Sequence, residues 1–247
     1  MNKIRVLNSA VIAEHFNMAD AIEAVEKAYV LHAQKQVSLF DTVFYEFEPG
    51  AADMDIKSGT VDKEGIFGMK LMSWFSKNEE KELNSLMGNI MLYSRETGAP
   101  IALLDGASIT GLRTGAAGGL GAKYLAREGA EELLLIGTGN QAPYQLASAL
   151  IQLKTIRRVT VCNALNFDWA RSFVETIKKR LEKDFLSVLD QDTPAYEALK
   201  EKLAIDIVAE EDIEKAVRRA DVILTATPSK EAMIRKEWVK KGAHLSC

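Results

Sequence analysis

Leu133-Leu134-Leu135-Ile136-Gly137-Thr138-Gly139-Asn140-Gln141-Ala142 is the stretch whose reading settles the architecture. An apolar run of strand length stops at a glycine turn and passes into a helix-like segment. It returns as a second apolar run, Val159-Thr160-Val161-Cys162, ending at Asn163. This order and spacing describe a βαβ unit with a dinucleotide fingerprint. Gly137 permits the tight turn, Gly139 lets backbone approach a pyrophosphate, and the small Ala142 allows close helix–strand packing. The helix N-terminus adds unpaired N–H groups for the anion. The expected cofactor is NAD or NADP. At the end of the second strand NAD sites commonly place an acid and NADP sites an arginine. Asn163-Ala164-Leu165-Asn166 offers neither, and Asp168 lies further along, so the choice stays open.

Downstream, the pattern predicts helices at 167–181, 191–203 and 211–218, with strands at 205–208 and 222–226 between and after them. With the closing GAHLS strand this makes five parallel strands of a doubly wound (Rossmann) α/β sheet. Upstream the texture changes. Ile22, Val25, Tyr29 and His32 recur at helical spacing after Asn17, a plausible cap, which predicts a helix from Ala19 to about Lys35. Thr42–Glu48, Gly65–Trp74, Asn89–Tyr93 and Ile101–Leu104 read as strands, the last two joined by RETGAP with Gly98 in the turn. Their short connections predict a mostly antiparallel sheet. The expectation is an α+β substrate-binding and dimerisation domain over 1–115, then the dinucleotide domain over 116–247.

Between them lies ASITGLRTGAAGGLGAKYLARE, residues 107–128. Ser108 or Thr110 could cap a helix running to Ala126. Each interior glycine costs such a helix about 1 kcal/mol relative to alanine, so a close neighbour, backbone or ligand, is expected against the small-residue face. Arg113 is expected in the first turn, where the macrodipole does not favour a cation unless it faces an anion. A substrate carboxylate is such an anion, and the guanidinium fork suits it. A solvated arginine fits the same spacing.

The 247 residues carry 31 Lys+Arg against 35 Asp+Glu, a net charge of −4, which argues against nucleic acid or a membrane surface as partner. No run has transmembrane length, and Met1–Ala10 lacks the apolar core of a leader, so a cytoplasmic address is expected. Cys162 and Cys247 provide no disulfide framework. His15, His32 and His244 have no ligand-type spacing, and no metal site is expected. GGLGAKY at 118–124 is not a phosphate loop, because Ala122 separates Gly121 from Lys123 and Tyr124 stands where a hydroxyl residue is needed.

GMKLM around Lys70, LRTGAAGGLGAKYLA, IGTGNQA, ADVILTATPS at 220–229 and the closing KKGAHLS, in this order, resemble the ornithine cyclodeaminase and mu-crystallin family. The resemblance runs from about Asn17 to the last residue. It implies a two-domain, homodimeric, NAD(P)-binding protein, and chemistry at the Cα–N bond of an amino or imino acid. Amino-acid dehydrogenases, ketimine reductases, ornithine cyclodeaminase and a hormone-binding crystallin all belong to that family. By position, Lys70 resembles the active-site lysine and Arg113 the carboxylate-binding arginine. Ser85 and Thr114 match cofactor-facing positions, and Gly137, Thr138, Gly139, Asn140 and Gln141 match the pyrophosphate loop. Asn163 falls at the ribose, and Thr225, Ala226 and Thr227 follow the fourth strand, where the nicotinamide half is expected. Apart from family, Phe67, Met69, Leu71 and Met72 suggest that Lys70 is enclosed, which would lower its pKa and suit it to proton transfer. A solvent-facing strand lysine is the alternative. Tyr45, Phe47, Met54, Trp74 and Phe75 are candidate pocket walls, or core.

Two departures stand out. The cyclodeaminase uses a further arginine before the lysine, but no Arg occurs between Arg5 and Arg95. Lys57 in MDIKSG is the obvious cationic substitute, or a loop lysine, and a point charge replaces a bidentate fork poorly. The family also places a catalytic aspartate after the GAHLS strand, beyond Cys247. The expectation from this is a truncated chain with an exposed sheet edge and weak or absent catalysis. The expected function is an NAD(P)-dependent amino- or imino-acid oxidoreductase. The alternatives are cyclodeamination of ornithine and NADP-regulated binding of a small molecule without conversion.

Overall fold

A computed structural model describes residues 3–247. Met1 and Asn2, which open the stretch examined for a leader, lie outside the described residues. Two compact units divide the chain: residues through Phe16 with Glu26–Thr110, and Asn17–Val25 with Gly111–Cys247. Where the sequence suggests one boundary after residue 115, the contacts divide the chain at Thr110 and assign the first half of an N-terminal helix to the second unit.

Strand β1 (Arg5–Leu7) and helix α1 (Ser9–His15) begin the chain, followed by α2 (Met18–Ala33). Asn17 caps α2 as expected, its Oδ1 accepting from the N–H groups of Ala19 (2.8 Å) and Asp20 (3.2 Å). Then come β2 (Val37–Leu39), β3 (Val43–Glu48), β4 (Ala52–Val61), β5 (Ile66–Phe75), β6 (Leu86–Ser94) and β7 (Pro100–Asp105). Their order is β1-β7-β6-β5-β4-β2, with β3 also on β4. All pairs are antiparallel except β1 with β7. Gly98 holds φ +71° in the β6–β7 connection, the left-handed geometry expected of that turn.

The sequence reading misses β1, α1, β2 and, most consequentially, β4. Ala52–Lys57 alternates apolar and charged residues, the period-two signal of a half-buried strand, which the sequence reading overlooked; Lys57 is a strand residue and not a loop lysine. β4 pairs with β5 along its whole length, Ala52↔Phe75 to Val61↔Ile66.

Helix α3 (Gly106–Leu125) follows β7 directly. Neither Ser108 nor Thr110 caps it. Asp105 Oδ1 accepts from Ser108 N–H at 2.8 Å, because the chain enters the helix straight from the strand. Arg113 is therefore the eighth helical residue, beyond the first turn, and the macrodipole argument for its role falls away.

In the second unit, α3 continues and leads to β8 (Glu132–Ile136), α4 (Ala142–Gln152), β9 (Arg158–Cys162) and α5 (Phe167–Arg180). Two irregular turns over Leu181–Val188 extend α5 beyond the expected end. α6 (Pro194–Lys202), β10 (Asp206–Ala209), α7 (Ile213–Arg219), β11 (Val222–Thr225) and β12 (His244–Ser246) complete the chain. The five strands are all parallel, in the order β10-β9-β8-β11-β12. This is the doubly wound α/β sheet expected from the fingerprint. Its centre is fully buried, Leu134, Leu135 and Ile136 being 0% exposed. Leu134, Ile136, Cys162 and Ile223 pack with Ala216 and Val217 of α7.

The expected close neighbour of the small-residue helix is α4. A Cβ on Gly115 would meet the Tyr144 carbonyl oxygen at 2.4 Å, and one on Gly119 would meet Ser148 Oγ at 2.1 Å. The glycines let the two backbones approach, which offsets their helix penalty. Asp221 buttresses the other end of the sheet. Its carboxylate accepts from the N–H groups of Glu131 (2.9 Å) and Glu132 (3.0 Å) and pairs with Arg127 and Lys240. No helix among the described residues is long and apolar enough to cross a membrane.

Candidate functional site

Lys70 lies in the middle of β5, directly opposite Lys57 on β4 and Ile90 on β6. Side chains alternate across a strand, so the neighbours that seemed to enclose Lys70 divide. Met72 shares its face, whereas Phe67, Met69 and Leu71 project from the other, and Met69 is 40% exposed. Lys70 is half-buried. Its Nζ donates to Thr110 Oγ1 at 3.5 Å, and Thr110 in turn touches Met72 Sδ at 3.7 Å. The start of α3 thereby braces the lysine. Lys57 forms an ion pair with Asp55, two residues earlier on the same face.

The register also corrects the pocket walls. Met54 and Phe75 lie on the face opposite Lys70, as does Tyr45, paired with Met54. Phe47 stacks against Phe75 with ring centroids 5.7 Å apart and meets Tyr45 at 5.2 Å, so it belongs with them. Only Trp74, of the five, is on the lysine face. Ser85 precedes β6, and its carbonyl accepts from Phe75 N–H at 2.8 Å.

In the second unit, the chain leaves β8 toward β9 and β10, then returns to lay β11 on the other side of β8. That reversal opens a crevice at the carboxyl ends of the strands, where doubly wound sheets bind ligands. Gly137, Thr138 and Gly139 line it with Asn163, Ala226 and Thr227, in a cleft of about 890 Å³. Gly137 holds φ +106°, and a Cβ there would meet the Ala226 carbonyl oxygen at 2.3 Å, so the turn requires glycine. A Cβ on Gly139 would meet nothing within 4 Å, so that backbone faces open space. Helix α4 starts without a side-chain cap and without an acid in its first turn. Asn140 continues the loop, Gln141 is the N-cap of α4, and Thr225 ends β11. Open backbone and an uncapped helix start fit a pyrophosphate.

Asn163 lines the cleft and also bonds within the chain. Its Nδ2 donates to Thr138 Oγ1 at 2.7 Å, and its Oδ1 accepts from Leu165 N–H (3.0 Å) and Asn166 N–H (3.2 Å). The carboxamide thus joins the glycine loop to the turn that starts α5. The reading of the sequence also missed Leu165 and Trp169 on the cleft wall, 85% and 53% exposed. Large apolar residues at the start of an amphipathic helix were the available signal.

Arg113 is exposed on α3, with Thr114 next to it. Among the described residues the buried Thr114 Oγ1 has no hydrogen-bond partner, and neither does Gln141 Oε1. Both fall at positions where the sequence predicted cofactor contact; Gln36, Ser148, Arg158 and His244 carry orphaned buried atoms as well.

Residues 2–247 match the model of the ornithine cyclodeaminase/mu-crystallin family. The alanine dehydrogenase of Archaeoglobus fulgidus is 31% identical over 241 residues, 98% of this chain and 65% of that protein. The Delta(1)-pyrroline-2-carboxylate reductase of Colwellia psychrerythraea is 35% identical over 185 residues, 74% of this chain and 51% of that protein. The chain thus spans less than two thirds of the length of these relatives. Among solved structures, Thermococcus litoralis Delta(1)-pyrroline-2-carboxylate reductase, in complex with NADH and L-proline, has a TM-score of 0.82 at 26% identity, over 98% of this chain and 68% of that one. An archaeal alanine dehydrogenase dimer with bound NAD has a TM-score of 0.81 at 30% identity, over 98% of this chain and 66% of that one. With the family model matched almost end to end, the chain belongs to the ornithine cyclodeaminase/mu-crystallin family.

Proposed function

We propose that this chain serves an NAD(P)-dependent oxidoreductase acting on the Cα–N bond of an amino or imino acid, in the cytoplasm. The observation that carries this reading is the Gly137-Thr138-Gly139 turn at the strand-order reversal, with open backbone at Gly139 and an uncapped helix behind it. Its relatives support it: the two named above are an alanine dehydrogenase and an imino-acid reductase.

In this reading the glycine loop and the start of α4 hold the coenzyme's pyrophosphate, and Thr114, Gln141, Ala226 and Thr227 supply further contacts. When bound, the coenzyme supplies hydride exchange with the substrate's Cα. The guanidinium of Arg113 holds the α-carboxylate through two parallel N–H groups. Lys70, steadied by Thr110, moves a proton at the substrate nitrogen or at a water. Asn163 acts by fixing the loop, and Ser85 lies on the first unit as a coenzyme contact. The first unit carries Lys70 and the dimerisation face, and the second carries Arg113 and binds the dinucleotide. Val43, Tyr45, Phe47, Met69 and Met87 are 38–58% exposed on the sheet face opposite Lys70. A second copy of this chain is the proposed cover for that apolar face.

The test is titration with NADH and NADPH, followed by nucleotide fluorescence, for the protein and for G139A. It is followed by absorbance and product mass with amino acids, and with 2-oxo acids plus ammonium. Saturable binding weakened by G139A is the expected result, with coenzyme-linked conversion that is weak in this chain. Ornithine yielding proline and ammonia with no net absorbance change would instead indicate cyclodeamination. Binding with no conversion of any acid would indicate a binding module, and failure to bind either nucleotide would overturn the proposal.

A further inference from the structure

β4 carries a charged partner for the lysine face. Asp55 and Lys57 are two residues apart, so both project from the face of Lys70. Lys57 is directly opposite Lys70, and Asp55 is opposite Met72. Like charges facing each other across an antiparallel ladder repel. An anion beside them relieves that repulsion, and Asp55 supplies it by pairing with Lys57. Its side chain is 20% exposed against 58% for Lys57. From the lysines a shallow trough of about 290 Å³ runs over Gly59 and Gly68 between Leu39, Val61, Ile66 and Leu92. Lys57 and Lys70 are the charged residues on its lining.

We propose that Asp55 sets the charge selectivity of this site: by holding Lys57 it withdraws that ammonium from incoming carboxylates, so the site takes monocarboxylate amino or imino acids with apolar side chains and turns away dicarboxylates. The inference rests on the oxidoreductase reading and names its substrate class. Lys70 serves the substrate nitrogen in that reading. A second carboxylate would need Lys57, and would meet Asp55 there. The apolar trough suits an aliphatic side chain, whose burial needs no polar partner.

The experiment compares the protein with D55N, D55E and K57Q. The probes are 4-methyl-2-oxopentanoate and 2-oxobutanedioate, each with ammonium and the reduced coenzyme. Catalytic efficiency is measured for both acids, and binding of each is measured independently by calorimetry in the presence of NADH. The unsubstituted protein is expected to favour the monocarboxylate. D55N frees Lys57 and should raise the dicarboxylate-to-monocarboxylate ratio about tenfold, the size of one charge-assisted hydrogen bond. D55E keeps the pair and should restore the original ratio, and K57Q should not raise it. A purely structural role for Asp55 would depress both acids together and leave the ratio unmoved. An unmoved ratio in D55N, or an original preference for the dicarboxylate, overturns the proposal while the oxidoreductase reading survives. NADH binding with neither acid bound or converted by any variant overturns both.

Discussion

Two glycines of α3, six residues apart, should respond oppositely to the same substitution. Gly→Ala inside a helix gains about 1 kcal/mol from propensity alone. At Gly121 nothing opposes that gain, since the nearest atoms to an added Cβ are His244 Nε2 and Ser246 Oγ, both at 3.8 Å, ordinary van der Waals contact. G121A should therefore be stabilised by up to about 1 kcal/mol. At Gly115 the same methyl would stand 2.4 Å from the Tyr144 carbonyl oxygen and 2.6 Å from its carbon. Those atoms belong to the backbone of α4 and cannot rotate away, so the two helices must separate. Overpacking of this kind costs about 1–3 kcal/mol, and with rigid backbone on the other side the upper end applies. Net of propensity, G115A should lose about 1–2 kcal/mol, leaving a gap between the variants of about 2–3 kcal/mol. Thermal and urea unfolding followed by circular dichroism reads this as a lower midpoint for G115A and an equal or higher one for G121A. If G115A melts at or above G121A, the glycines do not serve helix contact and the account of this segment is wrong.

Asp221 should make the second unit acid-sensitive. Burial opposes its ionisation, but Lys240, the N–H groups of Glu131 and Glu132, and Arg127 outweigh that and hold its carboxyl well below the ordinary carboxylate range. A carboxyl lower in the folded state than in the unfolded state contributes stability that is complete above the unfolded value, about 3.9, and is lost as pH falls below it. Unfolding free energy should drop from about pH 4 downward, and D221N should flatten that slope while costing about 1–3 kcal/mol at neutral pH, because Arg127 and Lys240 are left solvent-accessible; an equally steep acid limb in D221N would contradict this. At Asn163, N163A should weaken NADH and NADPH alike, because it frees Thr138 and the α5 turn. N163D should disfavour NADPH selectively by placing a carboxylate near the expected 2′-phosphate. A selective effect of N163A on one coenzyme, read by fluorescence titration, would return Asn163 to the role of direct ribose ligand. Burial, with Glu210 and Asp212 adding to it, pushes the Cys162 thiol up to about 12. A thiol reagent at pH 8 should modify only the exposed Cys247 until the protein is unfolded, and rapid native labelling of Cys162 would show that the core of the sheet opens.

The amino-acid order alone determined the doubly wound sheet, its five parallel strands and the fingerprint loop. Those depend on local signals: uninterrupted apolar runs, glycine at a turn that only glycine can make, and helices of ordinary period. It also carried the family, through strings around Lys70, Arg113 and Gly137. What it could not decide was which side chains share a face. Strand β4 was signalled by the apolar and charged alternation of Ala52–Lys57 and was overlooked; even with β4 assigned, setting Lys57 opposite Lys70 needs a register that alternation alone does not fix. Tyr45, Phe47, Met54 and Phe75, candidate pocket walls or core by sequence, lie on the face opposite Lys70, which for Phe75 follows from alternation along β5 itself. The cap of α3 and the internal bonds of Asn163 were likewise invisible. Each depends on where a neighbouring segment brings a single donor or acceptor, and that distance exists only once the chain has folded.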